Sequence, residues 1–310
     1  MRWMVFFFLF IGFSVFGQRS IAFLDTPNHK VVSISSNIPE NSQAIPMEIV
    51  RGMIYLEAEM NGEKGQFILD TGAPMLLVNQ KELKQKQANA LSFGEGISVT
   101  ETEISSFNLA NIHRKNLPAL ALDISHLEKA SGKKIMGLIG YNVLEQYELL
   151  LDFDNNLLYL INVKSTKLPS LHNPVASISF NLDDHLPVIQ AKIGGQILRL
   201  GIDTGAASNL LDEKVLAGLT DQEIDFLPNE EIQGLDQKVK EVKAAVLHQV
   251  DVNGHNIDNA KFLFTDLSFL REKTGHQLDG LLGSPFFSSA TFSINYPKKK
   301  INIWSTPQPN

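Results

Sequence analysis

The stretch Phe67-Ile68-Leu69-Asp70-Thr71-Gly72-Ala73 recurs later in the chain as Leu200-Gly201-Ile202-Asp203-Thr204-Gly205-Ala206. In each copy an apolar run ends in an acid, a hydroxyl and a glycine, which predicts a buried strand that leads into a tight turn. Burying a carboxylate is unfavourable unless another group compensates for the lost water. We therefore expect Asp70 and Asp203, which are presented in the same way, to belong to one shared site.

The two copies are part of a longer internal repeat. A shift of 133 positions places the hairpin signal Asn61-Gly62 on Gly194-Gly195, and a shift of 143 positions places Gly137-Leu138-Ile139-Gly140 on Gly280-Leu281-Leu282-Gly283. The signals follow the same order in both halves, and strand patterns dominate each half. Only two long copies exist, so the pattern indicates a duplicated, mainly β half-domain and not a solenoid.

The N-terminus has the composition of a secretory signal peptide. Arg2 is followed by an apolar run from Trp3 to Phe16, and Val15-Phe16-Gly17 serves as a small-residue cleavage site. The run is shorter than the roughly 20 residues that a membrane span needs, so a membrane anchor is the less favoured interpretation. We expect cleavage before Gln18 and an exported protein, periplasmic or secreted, with no membrane association afterwards.

The repeat, and the Pro- and Ser-containing segment between its copies, predict the domain organisation. The predicted units are a signal peptide at 1–17, an N-terminal arm or pro-segment at 18–45, a first lobe at 46–164, a linker at 165–175 and a second lobe at 176–310.

Composition excludes several kinds of function. The chain has no cysteine, which excludes disulfides, thiolate catalysis and cysteine metal sites. Its net charge of −7 leaves no basic surplus for binding nucleic acid. The eight histidines form no metal-binding signature, and we expect them, including the one in Asp183-Asp184-His185, to lie in loops or on the surface. We therefore predict neither a metal nor a cofactor.

The paired acids favour acid–base chemistry on a bound water. Two carboxylates within about 3 Å of each other cannot both ionise, so they share one proton. A water between them meets a base on one side and an acid on the other, which suits hydrolysis of a peptide bond without a metal or covalent intermediate. Gly72 and Gly205 leave room for sharp turns, and Thr71 and Thr204 can form hydrogen bonds across the seam between the halves.

These motifs resemble those of the aspartic peptidases, the superfamily of pepsin and the retroviral proteases, and most of all the bacterial retropepsin-like domains, here in tandem. The family motif is Asp-Thr/Ser-Gly after two apolar residues, with two apolar residues and a glycine downstream. It is matched by Ile68-Leu69-Asp70-Thr71-Gly72 with Leu138-Ile139-Gly140, and by Gly201-Ile202-Asp203-Thr204-Gly205 with Leu281-Leu282-Gly283. The resemblance implies an all-β fold of two retropepsin-like or pepsin-like barrel lobes related by a pseudo-two-fold axis.

The resemblance also implies a role for each motif. Asp70 and Asp203 would form a catalytic dyad that acts, without a cofactor, on an extended peptide or protein substrate. The residues that would pack in ψ-shaped loops behind the catalytic turns are Ile139, Gly140, Leu282 and Gly283. The glycines that would mark flaps over the cleft, at the tips of two predicted hairpins, are Gly94, Gly96 and Gly234.

Three interpretations of the site stay open. The first is a monomeric endopeptidase with a single dyad. The second is a peptide-binding module that uses the same fold without catalysis. The third is an obligate dimer in which each half pairs with a half of another chain.

Ala73 and Ala206 stand where pepsins place a serine after each Asp-Thr-Gly. No side-chain hydroxyl is therefore available there to stabilise an ionised carboxylate and lower the pKa of the pair. We expect an activity optimum that is less acidic than that of pepsin. A pH–rate profile on an unfolded protein substrate checks this expectation, and a maximum below about pH 3 would contradict it.

Overall fold

The computed structural model describes residues 11–13, 42–83, 90–93, 97–162, 174–234, 238–268, 277–288 and 290–305. β-Strands make up most of these residues, and the helices among them are short. No helix in the described ranges is both long and apolar enough to cross a lipid bilayer. The all-β prediction is confirmed.

After the first two strands of each half, the strands of the two halves follow one another in the same order. Those of the first half are β1 (Ile11–Phe13), β2 (Gln43–Val50), β3 (Met53–Met60), β4 (Glu63–Leu69), β5 (Leu76–Asn79), β6 (Ala90–Phe93), β7 (Ile97–Leu109), β8 (Ile112–Leu122), β9 (Gly137–Ile139), β10 (Tyr147–Asp152) and β11 (Leu157–Asn162). Those of the second half are β12 (Ala176–Ser179), β13 (Asn181–Asp183), β14 (Leu186–Ile193), β15 (Gln196–Ile202), β16 (Leu210–Asp212), β17 (Ile224–Gln233), β18 (Val239–Val252), β19 (His255–Thr265), β20 (Gly280–Leu282), β21 (Thr291–Asn295) and β22 (Lys300–Ser305). The helices are α1 (Ser125–Ser131), α2 (Tyr141–Leu144) and α3 (Ser284–Phe287), with 3-10 turns at Gln80–Glu82 and Glu213–Gly218.

Each half closes into a six-stranded barrel. In the first half the strands are ordered β3-β4-β9-β5-β8-β7, and β7 returns to pair with β3 where Phe107 lies opposite Met60. In the second half the order is β14-β15-β20-β16-β19-β18, closed where Lys192 lies opposite Asp251. The equivalent strand orders confirm the prediction of two tandem all-β lobes.

The hairpins that open the two barrels turn in the same way. Asn61 and Gly62 have φ values of 52° and 83°, and Gly194 and Gly195 have values of 55° and 75°. Two successive residues with positive φ give a two-residue hairpin whose twist matches that of the flanking strands. Asn and Gly tolerate this conformation, which explains why the repeat keeps these residue types here.

A three-residue strand lies between the two strands that flank each acidic turn. In the first lobe β9 runs parallel to β4 and antiparallel to β5, and in the second lobe β20 has the same relation to β15 and β16. Each of these strands starts with a glycine that a neighbouring backbone approaches closely. A Cβ on Gly137 would lie 2.1 Å from the carbonyl oxygen of Leu77, and one on Gly280 would lie 2.3 Å from that of Leu210.

A further sheet is shared by the two halves. Its order is β12-β22-β21-β10-β11-β2, so each half contributes three strands. At its centre β10 pairs antiparallel with β21, with Leu149 opposite Ile294 and Leu150 opposite Ser293. Leu149, Phe292 and Ile294 are fully buried in the largest apolar core, which contains residues of both lobes. The sequence pattern predicts a mainly β chain, but not that these strands join the lobes.

The shared sheet also contains a buried carboxylate that is held by the opposite lobe. Glu148 of β10 is 3% exposed. It accepts hydrogen bonds from Ser293 Oγ at 2.6 Å, Asn295 Nδ2 at 2.7 Å and Asn302 Nδ2 at 3.2 Å. All three donors belong to the second half of the chain. Because a buried charge is tolerated only when its lone pairs are satisfied, Glu148 ties the two halves together.

Glu148→Ala is expected to destabilise the protein by about 3 kcal/mol, because it leaves three buried donors without an acceptor. Glu57→Ala serves as the control, since Glu57 is exposed and, among the described residues, forms its ion pair with the exposed Lys64 at 3.4 Å. The loss of stability in this variant is expected to stay below about 1 kcal/mol. Urea-induced unfolding measures both changes. Equal losses of unfolding free energy in the two variants would show that the Glu148 network does not hold the lobes together.

Candidate active site

The two acidic turns begin where two buried strands end. β4 ends at Leu69 and is followed by Asp70, and β15 ends at Ile202 and is followed by Asp203. The apolar residues before each acid are fully buried and anchor each turn to its barrel. Neither acid has any solvent-exposed surface. A buried, ionisable side chain at the end of a buried strand needs a compensating partner.

The two acids supply that partner for each other. Their carboxyl groups lie next to each other across the seam between the lobes, so that each affects the pKa of the other. The glycines next to them make this approach feasible: a Cβ on Gly72 would lie 2.6 Å from Cγ of Asp203, and one on Gly205 would lie 2.6 Å from Cγ of Asp70. Any side chain at either glycine would occupy the space of the opposite carboxyl group.

Thr71 and Thr204 hold the two turns together through reciprocal hydrogen bonds. The Thr71 hydroxyl donates to the carbonyl oxygen of Ile202 at 3.0 Å and accepts from the Thr204 N–H at 3.0 Å. The Thr204 hydroxyl donates to the carbonyl oxygen of Leu69 at 2.9 Å and accepts from the Thr71 N–H at 3.1 Å. Each hydroxyl thus acts as donor and acceptor, and serine or threonine alone among small residues can do both.

The two carboxylates differ in the hydrogen bonds they receive from their own turns. Asp70 Oδ1 accepts from the N–H groups of Gly72 at 2.9 Å and Ala73 at 3.0 Å. Asp203 Oδ1 accepts from the N–H of Gly205 at 2.8 Å. Oδ2 of each acid is buried and accepts no hydrogen bond from a protein donor in the described residues. A water molecule would satisfy these two acceptors.

Burial raises the pKa of both acids. For Asp70 burial outweighs the hydrogen bond with Asp203 and the N–H groups of Gly72 and Ala73, and raises the pKa to about 7. For Asp203 burial and then the negative charge of Asp70 raise the pKa well above the ordinary aspartate range. Since a charge on either acid opposes ionisation of the other, the pair holds one proton between its two members.

The downstream motif of each half lies directly behind its acidic turn. The carbonyl oxygen of Ile139 accepts from the Asp70 N–H at 3.1 Å, and that of Leu282 accepts from the Asp203 N–H at 3.0 Å. The glycines that follow are closely packed: a Cβ on Gly140 would lie 2.3 Å from the carbonyl oxygen of Met75, and one on Gly283 would lie 2.5 Å from that of Ala206. The structure thus brings these four motif residues together with the dyad.

The candidate flaps are described only in part. Gly94 and Gly96 lie outside the described residues. Gly234 directly follows β17 at the tip of the β17–β18 hairpin, whose residues 235–237 are also outside the described ranges. The short strand β1 pairs antiparallel with the end of β17, with Ile11 opposite Gln233 and Phe13 opposite Glu231.

Two residues near the dyad were not recognised in the sequence. His185 is buried, with Nε2 at 2.8 Å from the carbonyl oxygen of Gly72, so the expectation of a loop or surface position is wrong for its side chain. The expectation is also wrong for His126, which is buried in α1. Tyr296 is also buried, and its pKa is raised well above the ordinary range by burial, then by Tyr141 and by the charges of the two acids. A signal existed in the repeat: the shift of 133 aligns His185 with Gly52, and the shift of 143 aligns Tyr296 with Phe153.

Within the described ranges no three His, Asp or Glu side chains form a group suited to binding a metal ion.

Comparison with known proteins agrees with this architecture. A family model described as aspartyl protease matches the chain twice, at residues 56–143 and 189–286. No curated protein matches the chain. Each match falls on one lobe and contains one Asp-Thr-Gly turn and its downstream glycine, and together the matches cover more than half of the sequence. The chain belongs to the aspartyl protease family.

Proposed function

We propose that this protein is an exported, monomeric aspartic endopeptidase that hydrolyses peptide bonds of an extended substrate with a water held by Asp70 and Asp203. The observation that carries the proposal is the pair of buried carboxyl groups at the lobe seam. They lie next to each other, and Oδ2 of each has no donor among the described residues. Buried lone pairs without a donor are a binding site for water.

The unequal pKa values of the pair support different roles for the two acids. Ionised Asp70 removes a proton from the water as its oxygen attacks the carbonyl carbon of the scissile bond. Protonated Asp203 donates its proton to the carbonyl oxygen, which gives a tetrahedral diol. As the C–N bond breaks, one hydroxyl proton returns to Asp203 and the proton on Asp70 passes to the leaving nitrogen. The products are a carboxylic acid and an amine, and the pair regains its starting proton.

The position of the dyad supports a monomeric enzyme. Both acids, both threonines and both downstream glycines come from one chain, so a second copy supplies nothing that the described site lacks.

Export is proposed from the apolar run between Trp3 and Phe16 that follows Arg2. A peptide-binding module without turnover is the second candidate, because the fold by itself does not require catalysis.

Asp70→Asn and Asp203→Asn are each expected to lower cleavage of an unfolded protein by at least about 1000-fold, because each removes one member of the acid–base pair. Asp152→Asn is the matched control: Asp152 is also buried at the end of an apolar strand, but among the described residues its side chain bonds within its own turn, to Asn155. We expect this variant to retain activity. Cleavage is measured on the purified mature protein by product separation, with its mass in solution determined in parallel.

Two results would overturn this proposal in different ways. Saturable peptide binding without turnover by the wild-type protein at any pH would establish the binding module. Substantial residual activity in either Asn variant, together with activity confined to a dimeric fraction, would replace the shared dyad with sites formed between chains.

The dyad should also make stability depend on pH. Because the folded-state pKa of Asp70 is raised from 3.8 to about 7, the folded protein binds a proton more tightly than the unfolded chain within this window. Stability therefore falls as the pH rises through it. Asp70→Asn removes this cost, so the variant should be more stable than the wild type at pH 8. Between pH 4 and pH 8 the difference in unfolding free energy should change in favour of the variant by more than about 1 kcal/mol. Urea unfolding at both pH values measures this, and parallel pH dependences would refute it.

A further inference from the structure

His185 brings a side chain of the second lobe to the acidic turn of the first. It follows Asp184, which has a φ of 53°, between β13 and β14. Its ring is 8% exposed, and Nε2 lies 2.8 Å from the carbonyl oxygen of Gly72. A carbonyl oxygen only accepts hydrogen bonds, so the imidazole donates its N–H here. It can do so both as the neutral Nε2–H tautomer and as the protonated ring.

The carbonyl group that contacts His185 belongs to the same peptide unit as an N–H group that donates to the dyad. The C=O of Gly72 and the N–H of Ala73 are opposite ends of one planar group. The Ala73 N–H donates to Asp70 Oδ1 at 3.0 Å. Fixing the carbonyl end of a rigid plane fixes the direction of its N–H end. His185 therefore acts on the carboxylate of Asp70 through a single peptide unit.

The second turn lacks this support. The repeat places Gly52 at the position of His185, and Gly52 has no side chain; a Cβ there would lie 3.2 Å from the carbonyl oxygen of Ala207. In both turns the alanine N–H donates to the main-chain oxygen of the acid, that of Ala73 at 3.3 Å and that of Ala206 at 3.2 Å; only the Ala73 N–H also donates to the carboxylate. The turn that contacts an imidazole thus gives its own carboxylate two N–H donors, whereas the turn without one gives its own carboxylate a single donor. Asp203 is also stabilised by the Gly72 N–H of the opposite turn, so the donor that belongs to Asp70 alone is the Ala73 N–H, on the peptide that His185 contacts.

We propose that His185 is a positioning residue that holds the Gly72–Ala73 peptide against Asp70 and thereby makes Asp70, and not Asp203, the ionised member of the pair. N–H donors stabilise the charged form of a carboxylate. Burial raises the pKa of both acids, and the charge of Asp70 raises that of Asp203 further. The kinetic consequence rests on the proposed peptidase function, whereas the effect on the two acids does not require turnover.

The test uses two substitutions at position 185. His185→Phe keeps an aromatic ring and removes the donor, so the acidic midpoint of the pH–rate profile should rise by about half a unit or more. At the wild-type optimum kcat should fall about tenfold, with a smaller change in KM. His185→Gln retains an amide N–H near the position of Nε2 and should restore the wild-type midpoint. A midpoint in the Gln variant that equals the Phe value would overturn the proposal.

A second measurement reads the pair without substrate. Carbon NMR of protein labelled at the aspartate carboxyl groups follows the titration of Asp70 and Asp203, with Asp70→Asn used for assignment. In the wild type Asp70 should ionise first, and in His185→Phe its titration should move to higher pH. Unchanged titration in a folded His185→Phe protein would overturn the positioning role. Absence of turnover in the wild type would instead overturn the proposed peptidase and leave this titration to decide the role of His185.

His248→Phe is the matched control. His248 also bonds a backbone carbonyl, that of Gln222, with Nδ1 at 2.9 Å, but its side chain lies on the surface of the second lobe. We expect the pH–rate midpoint and the carboxyl titrations of this variant to equal those of the wild type. A shift as large as that of His185→Phe would show that loss of any imidazole disturbs the pair, and would overturn the specific role of His185.

Discussion

The reciprocal hydrogen bonds between Thr71 and Thr204 are the constraint on which the rest of the molecule depends. The two carboxyl groups have no solvent exposure, and both burial and their mutual repulsion disfavour ionisation. The turns that carry them stay together because each threonine hydroxyl satisfies one donor and one acceptor of the opposite turn. The surrounding barrels, with a strand behind each turn, and the shared sheet beneath both lobes hold these contacts in place.

The pair works as acid and base only if its two members differ, although the repeat presents them in the same way. Identical carboxyl groups acquire different roles from their environments. Here the difference lies in the backbone: Asp70 receives the N–H groups of Gly72 and Ala73, whereas Asp203 receives that of Gly205 from its own turn. This difference between the two turns is small and local, and the order of the strands that support the turns is the same in both lobes.

The sequence predicts those features that a local pattern or a steric requirement encodes. The glycines beside the acids and in the downstream motifs are such features, since at Gly72 or Gly137 a Cβ would meet another atom at less than 3 Å. The shared sheet was not predicted, because an apolar strand such as Leu149-Leu150-Leu151 does not show which strand pairs with it. His185 was missed because its contact spans 113 positions and involves a backbone carbonyl, which no motif records. The flap glycines Gly94 and Gly96 lie outside the described residues, so their role stays a prediction.

Placing both halves in one chain has a physical consequence that a symmetric dimer of half-chains could not have. In such a dimer every position occurs twice, so both acidic turns would contact the same residue, either an imidazole or a glycine. The covalent duplication allows Gly52 and His185 to differ while the threonine contacts and the closely packed glycines stay equivalent. Symmetry is thus retained where two lobes must fit each other, and it is broken where two carboxyl groups must ionise in order.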